Sequence, residues 1–309
     1  MRPLTILTVL LAGLVLAGAS GAQNDFSQVV IQPQKLTDGL WMLSGAGGNL
    51  LVCVGTDGVL MVDAQYAPLA PRILAVVDSL SGGRPPRFLV NTHYHGDHVG
   101  GDSAMAAAGA TSVAHENVRR RMSADQFNAT FGRTIPAAPA RALPALTFGD
   151  SLTFHLGGPD IHVFHLPPGH TDGDAVVWIP GADVLHTGDL LFNGTYPVID
   201  VSAGGSIEGM LRSLGALLPL VGPGTKIVPG HGPLADRAAL LRFRDMLATV
   251  QDRVTKLVRE GKTLEQVLAA KPLADLDGVW GTGFMKPEMF LRVVYTDLAG
   301  TRPAGPPAH

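Results

Sequence analysis

Four side chains that can bind a metal ion lie within the segment 93–98, directly after a short apolar run. The apolar run predicts a buried strand, and the polar cluster predicts a loop at its exit. Residues two apart in an extended backbone point to the same side, so His93 and His95 can converge on one ion. The glycine that follows permits a sharp turn, which directs Asp97 and His98 toward a second point nearby. Because imidazole and carboxylate groups suit zinc and similar ions, this loop predicts a metal site.

The same arrangement recurs three times further along the chain. In each case an apolar run predicts a strand, and a polar loop with a metal-capable residue follows it. The residues at these strand ends are His170, Asp189 and His231. Loops at one end of a rigid sheet scaffold commonly carry function. We therefore expect the four loops to converge on one face of a sheet sandwich.

The composition excludes several other kinds of site. The 309-residue chain has a formal charge of −3 and a pI near 6.4, so no nucleic-acid partner is expected. Cys53 is the only cysteine, so no intramolecular disulfide and no cysteine-based metal site can form. The expected partner is a small-molecule substrate.

Residues 1–22 have the pattern of a signal peptide. A basic residue is followed by an apolar run that is too short for a comfortable membrane span, and small residues precede Gln23. We expect cleavage before Gln23 and a periplasmic or secreted protein with no stable membrane association. An uncleaved membrane anchor is the alternative.

The remaining chain shows no linker, so residues 23–300 are predicted to form a single domain and residues 301–309 a disordered tail. Apolar spacing predicts helices over 70–80, 234–260 and 287–298. The segment 116–131 is predicted to be helical. A Pro/Ala-rich loop follows it to residue 146, and we expect this region to flank the site.

The sequence resembles the metallo-β-lactamase superfamily over roughly residues 36–275. The resemblance implies an α/β fold, an αββα sandwich with two mixed β-sheets between outer helices. The motifs that carry it are His93-x-His95-x-Asp97-His98, Gly169-His170-Thr171, Thr187-Gly188-Asp189 and Pro229-Gly230-His231-Gly232.

The resemblance also implies two zinc ions per chain. In the family pattern, a metal-bound hydroxide attacks a carbonyl carbon, and Asp97 orients that hydroxide as the catalytic residue. Asp63 matches a family carboxylate that supports a ligand histidine, although a strand-end turn residue is the alternative reading. The ligands implied are His93, His95 and His170 for the first ion, Asp97, His98 and His231 for the second, and Asp189 as the bridge.

The chain departs from the β-lactamases of this superfamily at three places. Asp189 stands where they carry cysteine or serine, and Phe192 stands where several carry a lysine that binds the drug's carboxylate. The loop 44–48 is short where they have a longer apolar flap. An aspartate bridge is the pattern of the superfamily's lactonases, thioesterases, nucleases and glyoxalase-II-like hydrolases.

We therefore expect an exported dizinc hydrolase that opens small carbonyl substrates, whether a lactone, an ester or a β-lactam-like cyclic amide. Phe192, Asn193, Tyr196 and the segment 116–146 are the predicted pocket walls. Three alternatives stay open: a β-lactamase proper, a mononuclear iron persulfide dioxygenase and a non-catalytic metal-binding module.

Overall fold

A computed structural model of the protein describes residues 25–300. Among these residues, no helix combines the length and the apolar character needed to cross a membrane. The predicted signal peptide at 1–22 and the predicted tail at 301–309 lie outside the described residues. The assignment of 23–300 to one domain stays a prediction.

The β-strands of the described residues are β1 (Gln32–Thr37), β2 (Leu40–Ser44), β3 (Leu50–Gly55), β4 (Gly58–Val62), β5 (Pro86–Asn91), β6 (Thr111–His115), β7 (Gln126–Asn128), β8 (Arg133–Ile135), β9 (Leu146–Phe148), β10 (Ser151–Phe154), β11 (Ile161–His165), β12 (Ala175–Ile179), β13 (Val184–His186) and β14 (Lys226–Val228). The α-helices are α1 (Ala70–Ser81), α2 (Gly96–Val99), α3 (Asp102–Ala107), α4 (Glu116–Met122), α5 (Ile207–Leu217), α6 (Arg237–Arg259), α7 (Leu264–Ala270), α8 (Asp277–Trp280) and α9 (Pro287–Leu298).

Two mixed sheets form the centre of the molecule. The larger sheet has the strand order β1-β2-β3-β4-β5-β6-β9. Its pairs from β1 to β4 are antiparallel, and its pairs from β4 through β9 are parallel. The smaller sheet has the order β10-β11-β12-β13-β14, and its β13–β14 pair is parallel while the others are antiparallel.

Side chains alternate between the two faces of each strand, so each sheet can pack on both faces. The result is a molecule of four layers. One face of each sheet packs against the other sheet, where Leu51 and Val62 share a cluster with Val163 and Val177. The outer face of the larger sheet packs on α1 and α3, and the outer face of the smaller sheet packs on α5, α6 and α9. The predicted αββα sandwich is confirmed.

Most predicted elements appear close to their expected places. Helix α1 ends at Gly82, whose φ of 69° is the left-handed conformation that suits glycine at a helix end. Thr263 and Gln266 form a capping box at the start of α7. Helix α9 begins with Pro287 at its first position, where the missing N–H costs nothing.

The prediction of a helix over 116–131 is wrong beyond Met122. Helix α4 ends there, and the chain then forms a short hairpin from β7 and β8. Gly132 makes the turn with a φ of 59°. In the hairpin the Asn128 side chain donates to Asp200 at 3.1 Å, a contact between distant segments that a local helical pattern does not anticipate. The expectation that this region flanks the site is met, because residues from the hairpin line the cavity described below.

Candidate metal centre

The predicted ligands come together beyond the C-terminal ends of β5, β11, β13 and β14. They form two groups, and within each group one ligand atom per residue lies within 4.8 Å of the others. The deep group is His93, His95, His170 and Asp189, and the open group is Asp97, His98 and His231.

Asp189 lies between the two groups. Its Oδ2 is 3.4 Å from Nε2 of His170 and 3.4 Å from Nε2 of His231, one residue from each group. Its Oδ1 is 3.1 Å from Nε2 of His98. The Asp189 carboxylate therefore contacts residues of both groups, and its bridging role stays a prediction.

Asp63 supports the open group from the end of β4. It accepts hydrogen bonds from the backbone N–H of Thr92 at 2.8 Å and from Nδ1 of His98 at 2.7 Å. Its φ of 63° is rare for a residue other than glycine, and such backbone strain persists when surrounding contacts determine it. The carboxylate therefore touches a predicted ligand as expected and also shapes the strand end.

In the deep group, each histidine is held by a hydrogen bond to the ring nitrogen that points away from the centre. Nε2 of His95 donates to Asp200 at 2.9 Å, and Nδ1 of His170 donates to the Val198 carbonyl at 2.7 Å. Nδ1 of His93 is 3.0 Å from the Thr92 hydroxyl, which itself donates to Asp63. Such bonds fix the tautomer and turn the other nitrogen's lone pair inward.

The inward nitrogens face one another, and this arrangement fits cations. Nδ1 of His95 is 2.8 Å from Nε2 of His170, and Nε2 of His98 is 3.4 Å from Nε2 of His231. Nε2 of His93 is buried without a hydrogen-bond partner among residues 25–300. Because unpaired buried polar atoms are costly, a shared cation satisfies them better than the protein itself does. Imidazole and carboxylate donors suit zinc and related ions.

The two groups differ in their proton affinity. Burial lowers the pKa of His93 well below its ordinary value and lowers that of His170 to about 4. Burial acts in the same direction on the open group, but carboxylates outweigh it there. Asp189, Asp63 and Asp97 raise the pKa of His98 well above its ordinary value. Asp189 and Asp97 raise the pKa of His231 to about 9.

Asp97 stays ionised in this setting. Burial acts to raise the pKa of its carboxyl, but His98 and His231 overcome that effect and lower it. Its Oδ2 lies 3.3 Å from Nε2 of His231, and its side chain is 22% exposed. The residue predicted to be catalytic thus presents a carboxylate to the solvent side of the centre.

Two glycines allow the loops to close on the ligands. A Cβ atom on Gly48 would lie 2.1 Å from Cε1 of His98, and one on Gly230 would lie 2.0 Å from Oδ1 of Asp189. Neither position has room for a side chain. The short glycine-rich loop 44–48 and the Pro-Gly-His-Gly loop therefore owe their composition to close approach to the centre.

A cavity of about 410 Å³ opens onto the centre. Of the predicted pocket residues, Phe192 and Tyr196 line it, and Asn193 does not. The Asn193 amide instead donates to the Pro233 carbonyl at 3.0 Å, because the chain there pairs with the loop that carries His231. The Tyr196 hydroxyl donates to Asp277 at 2.9 Å, so its ring rather than its hydroxyl faces the cavity.

The family model for the metallo-beta-lactamase superfamily matches residues 45–231, more than half of the chain. The chain belongs to the metallo-β-lactamase superfamily. It is a metal-dependent hydrolase with a His/Asp metal-binding cluster, which sets aside the non-catalytic module.

Curated relatives of this superfamily member include two enzymes named metallo-beta-lactamase type 2. The Bacteroides fragilis enzyme is 28% identical, with 60% of this chain and 68% of the relative covered. The Bacillus cereus enzyme is 24% identical, with 64% and 72% covered. The probable metallo-hydrolase YqgX of Bacillus subtilis is 29% identical, with 50% and 72% covered.

Solved structures share the superfamily fold. The DIM-1 metallo-beta-lactamase has a TM-score of 0.57 at 20% identity, covering 72% of this chain and 99% of that one. A double mutant of the sec-alkyl sulfatase PisA1 has a TM-score of 0.64 at 21% identity, covering 86% of this chain and 50% of that one. At these identities the likeness shows the fold.

Sequence reasoning missed Asp200, a fully buried carboxylate beside a ligand of this superfamily site. Besides His95, it accepts hydrogen bonds from the Tyr94 hydroxyl at 2.7 Å and from the Asn128 amide at 3.1 Å. No motif marks it, because it follows an irregular stretch rather than a strand. Its position before the Ser202 and Ala203 turn is a weak signal of a capping aspartate.

Proposed function

We propose that this superfamily member is an exported dizinc hydrolase that opens lactones and other small esters in preference to β-lactams. The observation that carries the proposal is the placement of the Asp189 carboxylate between two separate ligand groups. Seven ligands exceed the four that a single closed structural zinc site needs. A carboxylate shared by both groups favours two ions held close together.

Two divalent ions at this centre would lower the pKa of a bound water and polarise a substrate carbonyl. The residues of the chain supply orientation and proton handling. Asp97 remains a carboxylate at neutral pH, so it can accept a hydrogen bond from the attacking water and fix its direction. Because its proton affinity is low, we infer that it orients the water more than it removes the proton.

Tyr66 is a second group with a role toward substrate. It lines the cavity together with Asp97, and burial raises the pKa of its hydroxyl to about 12. The hydroxyl therefore keeps its proton at neutral pH and can donate to a substrate oxygen. Donors aimed at the oxygen where charge develops are an effective way to stabilise an ester's transition state.

The cavity supports a small substrate. Its volume of about 410 Å³ lies within the range of roughly 300–1,000 Å³ for small-molecule sites. Apolar walls with a few polar groups at one end are the usual character of such sites.

A β-lactamase proper is the second candidate, because relatives in Bacillus cereus and Bacteroides fragilis carry that name. The aspartate at position 189 argues against it. A cysteine there would leave more room for a fused-ring drug than a carboxylate shared between two ions. The stacked contact of Phe192 on His231, with ring centroids 5.0 Å apart, also places an aromatic ring where several β-lactamases carry lysine.

A mononuclear iron persulfide dioxygenase would need fewer ligands than the two groups provide. Elemental analysis of the native protein separates the candidates. We expect about two zinc ions per chain, whereas a single iron would overturn the dizinc assignment.

The substrate proposal is tested by a hydrolysis screen of the purified zinc form on lactones, simple esters, thioesters and β-lactams. We expect the highest kcat/KM on a lactone or small ester. Much faster hydrolysis of β-lactams than of every ester would instead favour the second candidate.

The proposed export is tested by mass spectrometry of native material, which we expect to begin near Gln23. A chain that keeps Met1 would contradict cleavage.

A further inference from the structure

The hairpin of β7 and β8 brings a cation to the cavity. Arg133, the first residue of β8, pairs in register with Asn128 of β7. Asn128 in turn donates to Asp200, which holds His95 of the deep group. Arg133 lines the same cavity as Asp97 and His231. One strand pairing and two hydrogen bonds therefore connect the backbone that carries Arg133 to the metal centre.

The Arg133 side chain is exposed, and among residues 25–300 no carboxylate lies within salt-bridge distance of it. Its guanidinium lies over the ring of Phe131, 5.5 Å from the centroid. Arg121 on the preceding helix is different, because Asp172 binds its guanidinium at 2.6 and 2.8 Å. Arg133 is the member of the cavity lining with a permanent positive charge. It has donors available for a ligand.

An apolar surface adjoins this cation. Phe284 is 75% exposed, and its ring packs against Phe131 with centroids 5.6 Å apart. Ile135 and Met285 line the same cavity. A large exposed aromatic side chain at the mouth of a cavity is typical of a surface that an apolar group covers on binding.

We propose that Arg133 selects substrates that carry a carboxylate, while the apolar body of the substrate packs on Phe131 and Phe284. This inference rests on the proposed hydrolytic function and names its substrate class: a small amphipathic ester or lactone with one anionic group remote from the scissile carbonyl. The planar fork of arginine matches a carboxylate with two parallel hydrogen bonds. The Tyr66 hydroxyl, in the same lining, offers a further donor.

The third position after Asp189 makes this assignment specific to the chain. There, Phe192 presents an aromatic ring to the cavity and no cation. An anion subsite on the hairpin instead places the negative group beside the β7–β8 strands. The body of the substrate then spans the cavity from the hairpin to Asp97 and Asp189.

The test uses the full-length zinc enzyme and two matched lactones, one with a terminal carboxylate on its apolar substituent and one with the corresponding neutral amide. We expect the wild-type kcat/KM to favour the anionic lactone, and Arg133→Met to reduce that preference about fivefold to tenfold. Arg133→Lys keeps part of the preference, and Arg133→Glu reverses it. The KM of the anionic lactone also rises with salt.

The matched control is Arg141→Met. Arg141 is another exposed arginine of the same region, and it does not line the cavity. We expect the wild-type preference in this variant. An Arg133→Met enzyme with the full wild-type preference would overturn the inference, while its hydrolysis of the neutral lactone would leave the proposed function standing.

The proposed function can fail separately. If the enzyme holds two zinc ions but hydrolyses neither lactone, then the lactonase assignment is wrong. In that case, calorimetry with the same two compounds decides the inference. A weaker affinity of Arg133→Met for the anionic compound alone supports the carboxylate subsite, and an unchanged ratio of affinities contradicts it.

Discussion

The deep and open groups of the metal centre differ in their access to solvent. In the deep group, the side chains of His93 and His170 are each 1% exposed, that of Asp189 is 4% exposed and that of His95 is 12% exposed. In the open group, the His98 side chain is fully buried, but Asp97 is 22% exposed and His231 is 29% exposed. Water, substrate and chelators therefore reach the open group first, although Asp189 is shared by both.

The groups also differ in what a metal must displace. The lowered pKa values of His93 and His170 leave these rings neutral at pH 7, with lone pairs ready to bind an ion. The raised pKa values of His98 and His231 mean that an ion must first displace protons there. Solvent access and competition from protons both favour release of a metal ion from the open group. We therefore expect its ion to exchange more readily than the ion of the deep group.

The largest expected effect is the stepwise loss of metal to a chelator. We expect the zinc content to fall in two steps and all hydrolytic activity to be lost when both ions are gone, because no other group in the cavity activates water comparably. The first step empties the open group. Zinc content and kcat measured on the same dialysed samples check this order.

His231→Ala provides the control for that order. His231 belongs to the open group alone, so its removal should abolish the first step and preserve the second. Release of both ions in a single step, or an unchanged first step in His231→Ala, would show that the two groups are equivalent.

Asp189→Ala removes the contact that the groups share. We expect loss of the ion in the open group and a fall in turnover of at least about 10–100-fold, the scale typical of perturbed metal ligation. Asp189→Cys is the informative companion, because a thiolate can hold that ion without bridging. We expect it to keep zinc and shift preference toward β-lactams. Two zinc ions and full rate in Asp189→Ala would contradict the bridging role.

The supports of the two groups show what a sequence can reveal. Asp63 ends a strand whose partner runs directly into the histidine loop, so the register of β4 and β5 brings it to Thr92 and His98. The family motif and the predicted strand end together therefore predict the role of Asp63. Asp200 precedes a short turn in an irregular stretch, and its partners come from segments as far as 106 positions away. Nothing local specifies such contacts.

The contrast between residues at strand ends and residues held by distant contacts also explains which other features the sequence does not predict. The ligands themselves follow strands and carry recognisable spacing, so they could be predicted. The hairpin over 126–135 could not, because its contacts, such as the one between Asn128 and Asp200, join segments 72 positions apart and leave no local pattern. The sequence pattern does not predict helix α5, for a different reason. Ser206 caps it clearly, but glycines within Ile207–Leu217 weaken the helical pattern.

Paired substitutions of the two supporting carboxylates sharpen the comparison. Asp200→Asn and Asp63→Asn keep the shape of each side chain but remove its charge. We expect about 10–100-fold weaker zinc affinity in each, with Asp200→Asn acting on the deep group and Asp63→Asn mainly on the open group, because Asp63 contacts His98 directly and reaches His93 only through Thr92. Competition with a chromophoric chelator resolves the two affinities. Equal weakening of both ions by either variant would show that the groups are not held independently.

The smallest expected effect comes from Asn128→Ala, which separates the hairpin from the deep group. The variant loses two hydrogen bonds, one from the Asn128 amide to Asp200 and one from the Phe131 N–H to the Asn128 oxygen, both 3.1 Å long. Asp200 keeps its donors from Tyr94 and His95, so the metal content should not change.

The hairpin, however, loses its anchor, and with it the fixed position of Arg133. We expect a fall of about 1–2 kcal/mol in the free energy of unfolding and a rise of a few-fold in KM, with kcat almost unchanged. Thr134→Ala, an exposed substitution on the same hairpin, is the control and should change neither quantity appreciably. A large loss of zinc in Asn128→Ala would mean that the hairpin supports the ligands directly. An unchanged KM would mean that the position of the hairpin does not depend on this contact.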